Sequence, residues 1–219
     1  MKTLNINIAN EIKQYRLPAT LCLFCVVLLA IRIKLSHSLF LAFLIWNLFL
    51  AGLPLAISLF IQNNAAVHGK RVFLYPLLLC WLLFLPNSFY LLTDFVHLYK
   101  DNSIPIWFDI LLIGSFTMTG MFFGLESMHS IHNLSLTRNS RLKSKAFIIV
   151  ICLLCGFGIY IGRYLRYNSW DVLHKPISLF THTLSTLFSA ETCKAAWGIT
   201  LGFGALQYLL FSIYRDIKK

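Results

Sequence analysis

The stretch Trp81-Leu-Leu-Phe-Leu-Pro-Asn-Ser-Phe-Tyr-Leu-Leu-Thr-Asp-Phe-Val-His-Leu98 begins as an apolar helix and ends as a polar one. Its first turns are hydrophobic on every side, the pattern of a helix with no water-facing surface. Its last turns carry Asn87, Tyr90, Asp94 and His97, spaced three, four and three apart, so a helix places all four on one face. Thr93 stands next to Asp94, and Asp101 would continue the stripe by one more turn. Ionisable groups on a membrane helix are costly unless they face a cavity or a partner. The stretch thus predicts a membrane-spanning helix with a polar site at its end.

Composition points the same way. Of the 219 residues, 58% are hydrophobic and 12% charged, against about 45–50% and about 25% in a soluble domain. The expected fold is all-α: one polytopic membrane bundle with spans near 15–33, 38–61, 72–93, 104–125, 146–165 and 195–214, each close to the ~20 residues that cross a bilayer. Pro54 and Pro86 should kink the second and third spans. The basic start and first apolar run resemble a signal peptide, but no A-x-A-type cleavage site precedes Arg32, so the run is read as a retained span. Residues 176–190 are too short and polar for a comfortable span. They are read as an interfacial or re-entrant helix, with a seventh span as the alternative. Gly120 and Gly124, Gly158 and Gly162, and Gly198 and Gly202 are four apart, a spacing that lets helix backbones approach.

The formal charge of +11 fits Lys and Arg flanking spans and meeting anionic lipid, not nucleic acid, because no basic, aromatic-interleaved soluble module is present. Six spans with the N-terminus inside put twelve of the 19 Lys and Arg on inner segments and seven on outer ones, with both termini cytoplasmic. Most of the outer basic residues lie in Gly162-Arg-Tyr-Leu-Arg-Tyr-Asn-Ser-Trp-Asp-Val-Leu-His-Lys-Pro176. Positive charge set against the topology rule suggests another use. The same topology brings Asn87, Tyr90, Asp94, His97, Asp109, Arg163, Arg166 and Asp171 toward the outer surface.

Arg163 and Arg166, three apart on a helix, suit contact with phosphate or carboxylate. Asp94 and His97 suit proton transfer, with Asp109 completing a catalytic set. Asn87, Tyr90, Thr93, Asn168, Trp170 and Asp171 are the accompanying ligand-binding candidates. Simpler roles exist for several. Asn87 can repair hydrogen bonding disrupted by Pro86, Asn168 can cap a short helix with Asp171 at its third position, and Tyr167 and Trp170 fit an interfacial aromatic belt. Three functions follow: an enzyme acting on a phosphate-bearing lipid or lipid-linked substrate, a transporter with an anion or proton path, or a structural protein in which Asp94 and Asp109 pair with Arg163 and Arg166.

Metal chemistry is not expected at two other motifs. Cys22 and Cys25, and Cys152 and Cys155, form C-x-x-C pairs inside apolar runs, where a thiolate is expensive and cysteine serves as a small apolar residue. Glu126, His129 and His132 repeat a Glu-x-x-His spacing, but a second such motif on another helix is missing, and the segment is read as a solvated helix end. Asp94 and His97, three apart, could equally hold a metal, and the sequence leaves the cofactor unknown. Membrane lipids are the expected partners, together with a lipid or anionic small-molecule ligand.

The blocks Leu85-Pro-Asn-Ser-Phe-Tyr-Leu-Leu-Thr-Asp-Phe-Val-His-Leu98, Ile106-Trp-Phe-Asp109 and Gly162-Arg-Tyr-Leu-Arg-Tyr-Asn-Ser-Trp-Asp171 resemble, in this order, an uncharacterised family of bacterial integral membrane proteins filed as a domain of unknown function. The resemblance implies a multi-helical bundle in the bacterial cytoplasmic membrane and brings no activity with it.

Overall fold

A computed structural model describes residues 2–64, 67, 70–98, 104–138, 140–167, 169, 171–174, 176–188 and 193–218. The described chain is helical throughout: α1 (Lys2–Ser36), α2 (Phe43–Asn63), α3 (Arg71–Tyr90), α4 (Ile106–Arg138), α5 (Arg141–Tyr160), α6 (Asp171–His174), α7 (Pro176–Phe188) and α8 (Cys193–Ile217). Six of these are long and apolar enough to cross a membrane. They turn large apolar side chains outward, among them Leu23, Phe49, Val72 and Leu209, each more than half exposed. A helix bundle with that surface is a multi-span membrane protein, because such faces are stable only against hydrocarbon.

The 13 residues of α7 reach about 20 Å at the α-helical rise, well short of the ~30 Å hydrocarbon core. The seventh-span alternative is therefore set aside. A second correction concerns α4, which was expected to end near Leu125 but runs to Arg138. The turns that carry Glu126, His129 and His132 are not a solvated end, although Asn133, Leu136 and Thr137 beyond them are exposed. Ser127, Met128, Ile131 and His132 are buried. Glu126 accepts hydrogen bonds from Tyr214 of α8 and from Lys218 just beyond it. His132 Nδ1 lies 3.0 Å from Ser144 Oγ of α5, and His129 Nε2 lies 3.0 Å from Asn133 Nδ2. Glu126 and His132 thus tie α4 to neighbouring segments while His129 bonds within α4, and among the described residues no group of three or more His, Cys, Asp or Glu is placed to hold a metal.

Small residues set the helix spacing. A Cβ on Gly120 would fall 2.9 Å from the Ser88 backbone oxygen and one on Gly124 2.7 Å from the Phe89 ring, so α3 packs closely on α4 there. Gly158 faces Pro86 in the same way at 2.5 Å, and Gly162 lies under the Tyr90 ring at 3.3 Å, which seats α5 on α3. The Gly198 and Gly202 pair does not do this: nothing lies within 4 Å of either. On α8 the close approach is made by Gly204 against Cys152 O, while Gly156 of α5 meets Thr200 O. α2 and α5 both pack on α3, and α4 lies behind α2 and α3. The space between α2 and α5, floored by α3, remains open.

Candidate functional site

That space is a cleft of about 620 Å³, within the range of small-molecule sites. Its length follows from α3. Leu79 and Asp94 both line it, and about 22 Å of helix separates them at the α-helical rise. Leu79, Leu82, Leu83 and Leu154 lie toward one end, and Trp46, Asn47, Asp94, His97, Arg163 and Tyr167 toward the other. The apolar end is accessible from the side of the bundle: Leu79 is 68% exposed and Leu154 47%. The cleft therefore has the form of an amphiphile, with a hydrocarbon channel leading to a small polar chamber.

Two irregular helix segments build the chamber. α3 tightens into a 3-10 helix over Leu91–His97, in which residues three apart eclipse, so Asp94 and His97 stand one above the other. The switch follows Pro86, whose ring removes a backbone donor inside α3. Carbonyls just before it take side-chain donors. Asn87 Nδ2 donates to Phe84 O at 3.0 Å and to Ser169 Oγ at 3.1 Å, and Ser169 Oγ donates to Leu83 O at 3.1 Å. Further along, Thr93 Oγ1 donates to Tyr90 O, and Thr117 Oγ1 of α4 donates to Leu91 O at 3.0 Å. The second irregular segment is a π-helical turn, Ile161–Leu165, at the end of α5. It closes with Arg166 in the left-handed region at φ 57°. The extra residue per turn re-aims side chains, and Arg163 comes to face α3.

Asp94 is 1% exposed. Its Oδ2 accepts a hydrogen bond from Asn47 Nδ2 at 3.0 Å, and its Oδ1 lies 3.7 Å from Arg163 Nη1. That separation is an ion contact, too long for a hydrogen bond. No hydrogen bond among the described residues uses the Arg163 guanidinium, whose side chain is 24% exposed into the cleft. The His97 ring stands edge-on to Phe40 and Phe43, with centroids 6.0 and 5.1 Å away. Tyr167 Oη is 2.9 Å from His182 Nδ1, which ties the segment after α5 to α7.

Of the residues singled out in the sequence, Asn87, Tyr90, Asp94, His97 and Arg163 line one cleft. Thr93 sits beside it and bonds its own helix. Asp171 opens α6 and is not part of the lining. Arg166 is exposed and does not join Arg163, because the left-handed turn sends it away. Asp101, Asn168 and Trp170 lie outside the described residues. Asp109 is at the same end of the bundle but in a separate place. It is 3% exposed and takes Arg32 Nε at 2.9 Å and Nη2 at 3.3 Å. The expected pairing of Asp109 with an α5 arginine is thus corrected to a pairing with α1. Two participants were missed, Asn47 and Ser169. The signal for Asn47 was present: it is an amide in the middle of an apolar span, where a polar group usually serves a buried partner.

The family described as "Protein of unknown function (DUF1361)" matches residues 46–210. That segment contains Asn47, Asp94, Arg163, Tyr167 and Ser169, while Arg32 lies before it. No curated protein and no solved structure matches the chain. With about three quarters of its length matched, the chain belongs to this family of unknown function.

Proposed function

Starting from a family that carries no activity, we propose that this protein binds a phosphate-bearing lipid or lipid-linked substrate in the α2–α3–α5 cleft. Its hydrocarbon chain lies along Leu79, Leu82 and Leu154, and its phosphate meets Arg163. The observation that carries this is the Arg163 guanidinium: five donors in a fixed fork, no hydrogen bond among the described residues, and a place at the polar end of an apolar channel open to the side. Guanidinium groups bind phosphate with two parallel hydrogen bonds. On this reading Asp94 and His97, eclipsed on the 3-10 turn, are the groups available to move a proton on a bound substrate. Asp109 holds α1 to α4. The excess of Lys and Arg on alternate loops orients the chamber to the outer face of a bacterial cytoplasmic membrane, with both termini inside.

The test uses the full chain in detergent micelles and native mass spectrometry. Phosphatidic acid should be retained over diacylglycerol with the same chains. Arg163→Ala should weaken that retention by about 10- to 100-fold, the usual worth of hydrogen bonds to a charged group. Leu154→Trp, which fills the channel, should weaken both lipids. Equal retention of the two lipids by the wild type would refute the reading.

A structural reading has its own observation. The Arg163–Asp94 contact joins α5 to α3, as Arg32–Asp109 joins α1 to α4. It predicts that Arg163→Ala lowers accumulation in the membrane without changing lipid retention.

A further inference from the structure

The chamber holds two polar groups whose bonding capacity is unequally used. Asp94 Oδ2 is taken by Asn47 at 3.0 Å. Asp94 Oδ1 accepts no hydrogen bond among the described residues, and its nearest cation is Arg163 at 3.7 Å. Asp94 lines the cleft with its side chain 1% exposed, so a ligand's donor meets it only at the chamber wall. A carboxylate oxygen and a guanidinium therefore stand side by side, each with open capacity, one accepting and one donating. A phosphate alone serves only the second. It would also put its own negative charge next to the buried Asp94 oxygen, which a carboxylate resists unless a donor lies between them.

From this we infer, building on the phosphate-lipid reading above, that the preferred ligand carries a hydrogen-bond donor a short spacer away from its phosphate. The phosphate binds Arg163 and the donor binds Asp94 Oδ1. The chemical class is a phosphodiester lipid with a primary ammonium headgroup, as in phosphatidylethanolamine. Arg163 and Asp94 together carry no net charge, which matches a zwitterionic headgroup better than a singly anionic one. Asn47 has a defined part here. By occupying Oδ2 it fixes the carboxylate plane and leaves Oδ1 directed at the ligand, so it is a positioning residue.

Phosphatidylcholine is the decisive comparison. It has the same phosphate, spacer and chains, but methyl groups replace every donor hydrogen on the nitrogen. Phe40, Phe43 and Trp46 also line the cleft, and aromatic faces attract quaternary ammonium. Two of these rings, however, already stand against His97. The aromatic wall therefore makes the opposite prediction to the carboxylate, and the experiment decides between them.

The full chain in micelles is titrated with phosphatidylethanolamine and phosphatidylcholine of identical chains, and occupancy is read by native mass spectrometry. The expected result is about tenfold tighter binding of phosphatidylethanolamine, the effect of satisfying rather than leaving open one buried acceptor. Asp94→Asn should shrink that ratio toward one while phosphate-dependent retention persists. Asn47→Ala should shrink it partially. Equal binding of the two lipids, with both lost in Arg163→Ala, would overturn the donor inference and leave the phosphate reading standing. Tighter phosphatidylcholine would overturn it in favour of the aromatic wall. Binding of both lipids that Arg163→Ala does not change would remove the phosphate reading as well. The wild-type comparison decides the matter even if a variant fails to accumulate.

Discussion

Arg32 and Asp109 close on each other at 2.9 and 3.3 Å with side chains 0% and 4% exposed, whereas Arg163 stands 3.7 Å from Asp94 and keeps 24% of its side chain accessible. The first pair joins the end of α1 to the start of α4, and the second joins the turn after α5 to the turn after α3. They use the same two residue types in the same kind of surroundings, and they have different forms. In the first, both carboxylate oxygens receive a guanidinium N–H, and Arg32 also reaches Ser36 Oγ at 3.5 Å. In the second, a neutral amide has taken one carboxylate oxygen and the guanidinium is held off from the other. A closed pair fastens two helices. An open pair keeps polar capacity for something else. The difference comes from backbone, since Arg32 and Asp109 project from α-helices while Asp94 and Arg163 sit on 3-10 and π turns.

The largest expected effect is on the closed pair. Arg32→Ala leaves the Asp109 carboxylate buried with its main partner gone, which costs about 3–5 kcal/mol in comparable cases. Thermal unfolding in detergent should show a large loss, and little protein should accumulate in membranes. The double variant Arg32→Met with Asp109→Leu should recover much of that loss, because an apolar pair of similar volume avoids desolvating two charges. If the double variant is as unstable as the single one, the pair is not acting as a self-contained clamp.

An intermediate effect is expected at the seat of α5. Gly158→Ala sets a methyl group 2.5 Å from the Pro86 ring, and neither helix backbone nor proline ring can yield cheaply. A cost of about 1–3 kcal/mol is expected from overpacking. Lipid retention should fall too, because α5 carries Arg163. Gly198→Ala, with nothing within 4 Å, should leave stability unchanged or slightly raised by the better helix propensity of alanine. Should the two substitutions behave alike, the close approach of α5 to α3 does not set the geometry of the cleft.

How much of this could be read in advance depended on which physical signal carried each part. Hydropathy fixed the six spans, because spans are long and the membrane constraint is strong. The Asn87, Tyr90, Asp94 and His97 stripe was legible from helical periodicity, and it survived the change to a 3-10 helix because that change brings Asp94 and His97 into line. Arg166 was misplaced for the opposite reason. A spacing of three means one face only while the helix continues, and the left-handed turn at Arg166 ends it. Arg32 stands near the end of the first span, where a basic residue is ordinary, so its closure on Asp109 across 77 positions of sequence left no local mark. Glycine spacing identified Gly120 and Gly124 correctly and Gly198 and Gly202 incorrectly, because the motif states that close approach is allowed and not that a partner is present.

The smallest effect on stability, and the sharpest test of the comparison, is expected for Arg163→Ala. Three observations keep the cost low. The guanidinium makes no hydrogen bond among the described residues, its contact with Asp94 is 3.7 Å long, and the Asn47 hydrogen bond to Asp94 remains after its removal. Arg163 is 24% exposed but Asp94 only 1%, so the cost lies between the about 0–1 kcal/mol of a surface pair and the about 3–5 kcal/mol of a closed buried one, nearer the lower because the contact is long. Thermal unfolding should move less than in Arg32→Ala while phosphate-lipid retention falls by at least tenfold. Arg32→Ala should show the reverse balance, a large stability loss that reaches lipid retention only through unfolding. The two arginines would then separate cleanly on two measurements made on the same samples. A stability loss in Arg163→Ala as large as that in Arg32→Ala would show that the open pair is also a clamp, and would return the cleft to the structural reading.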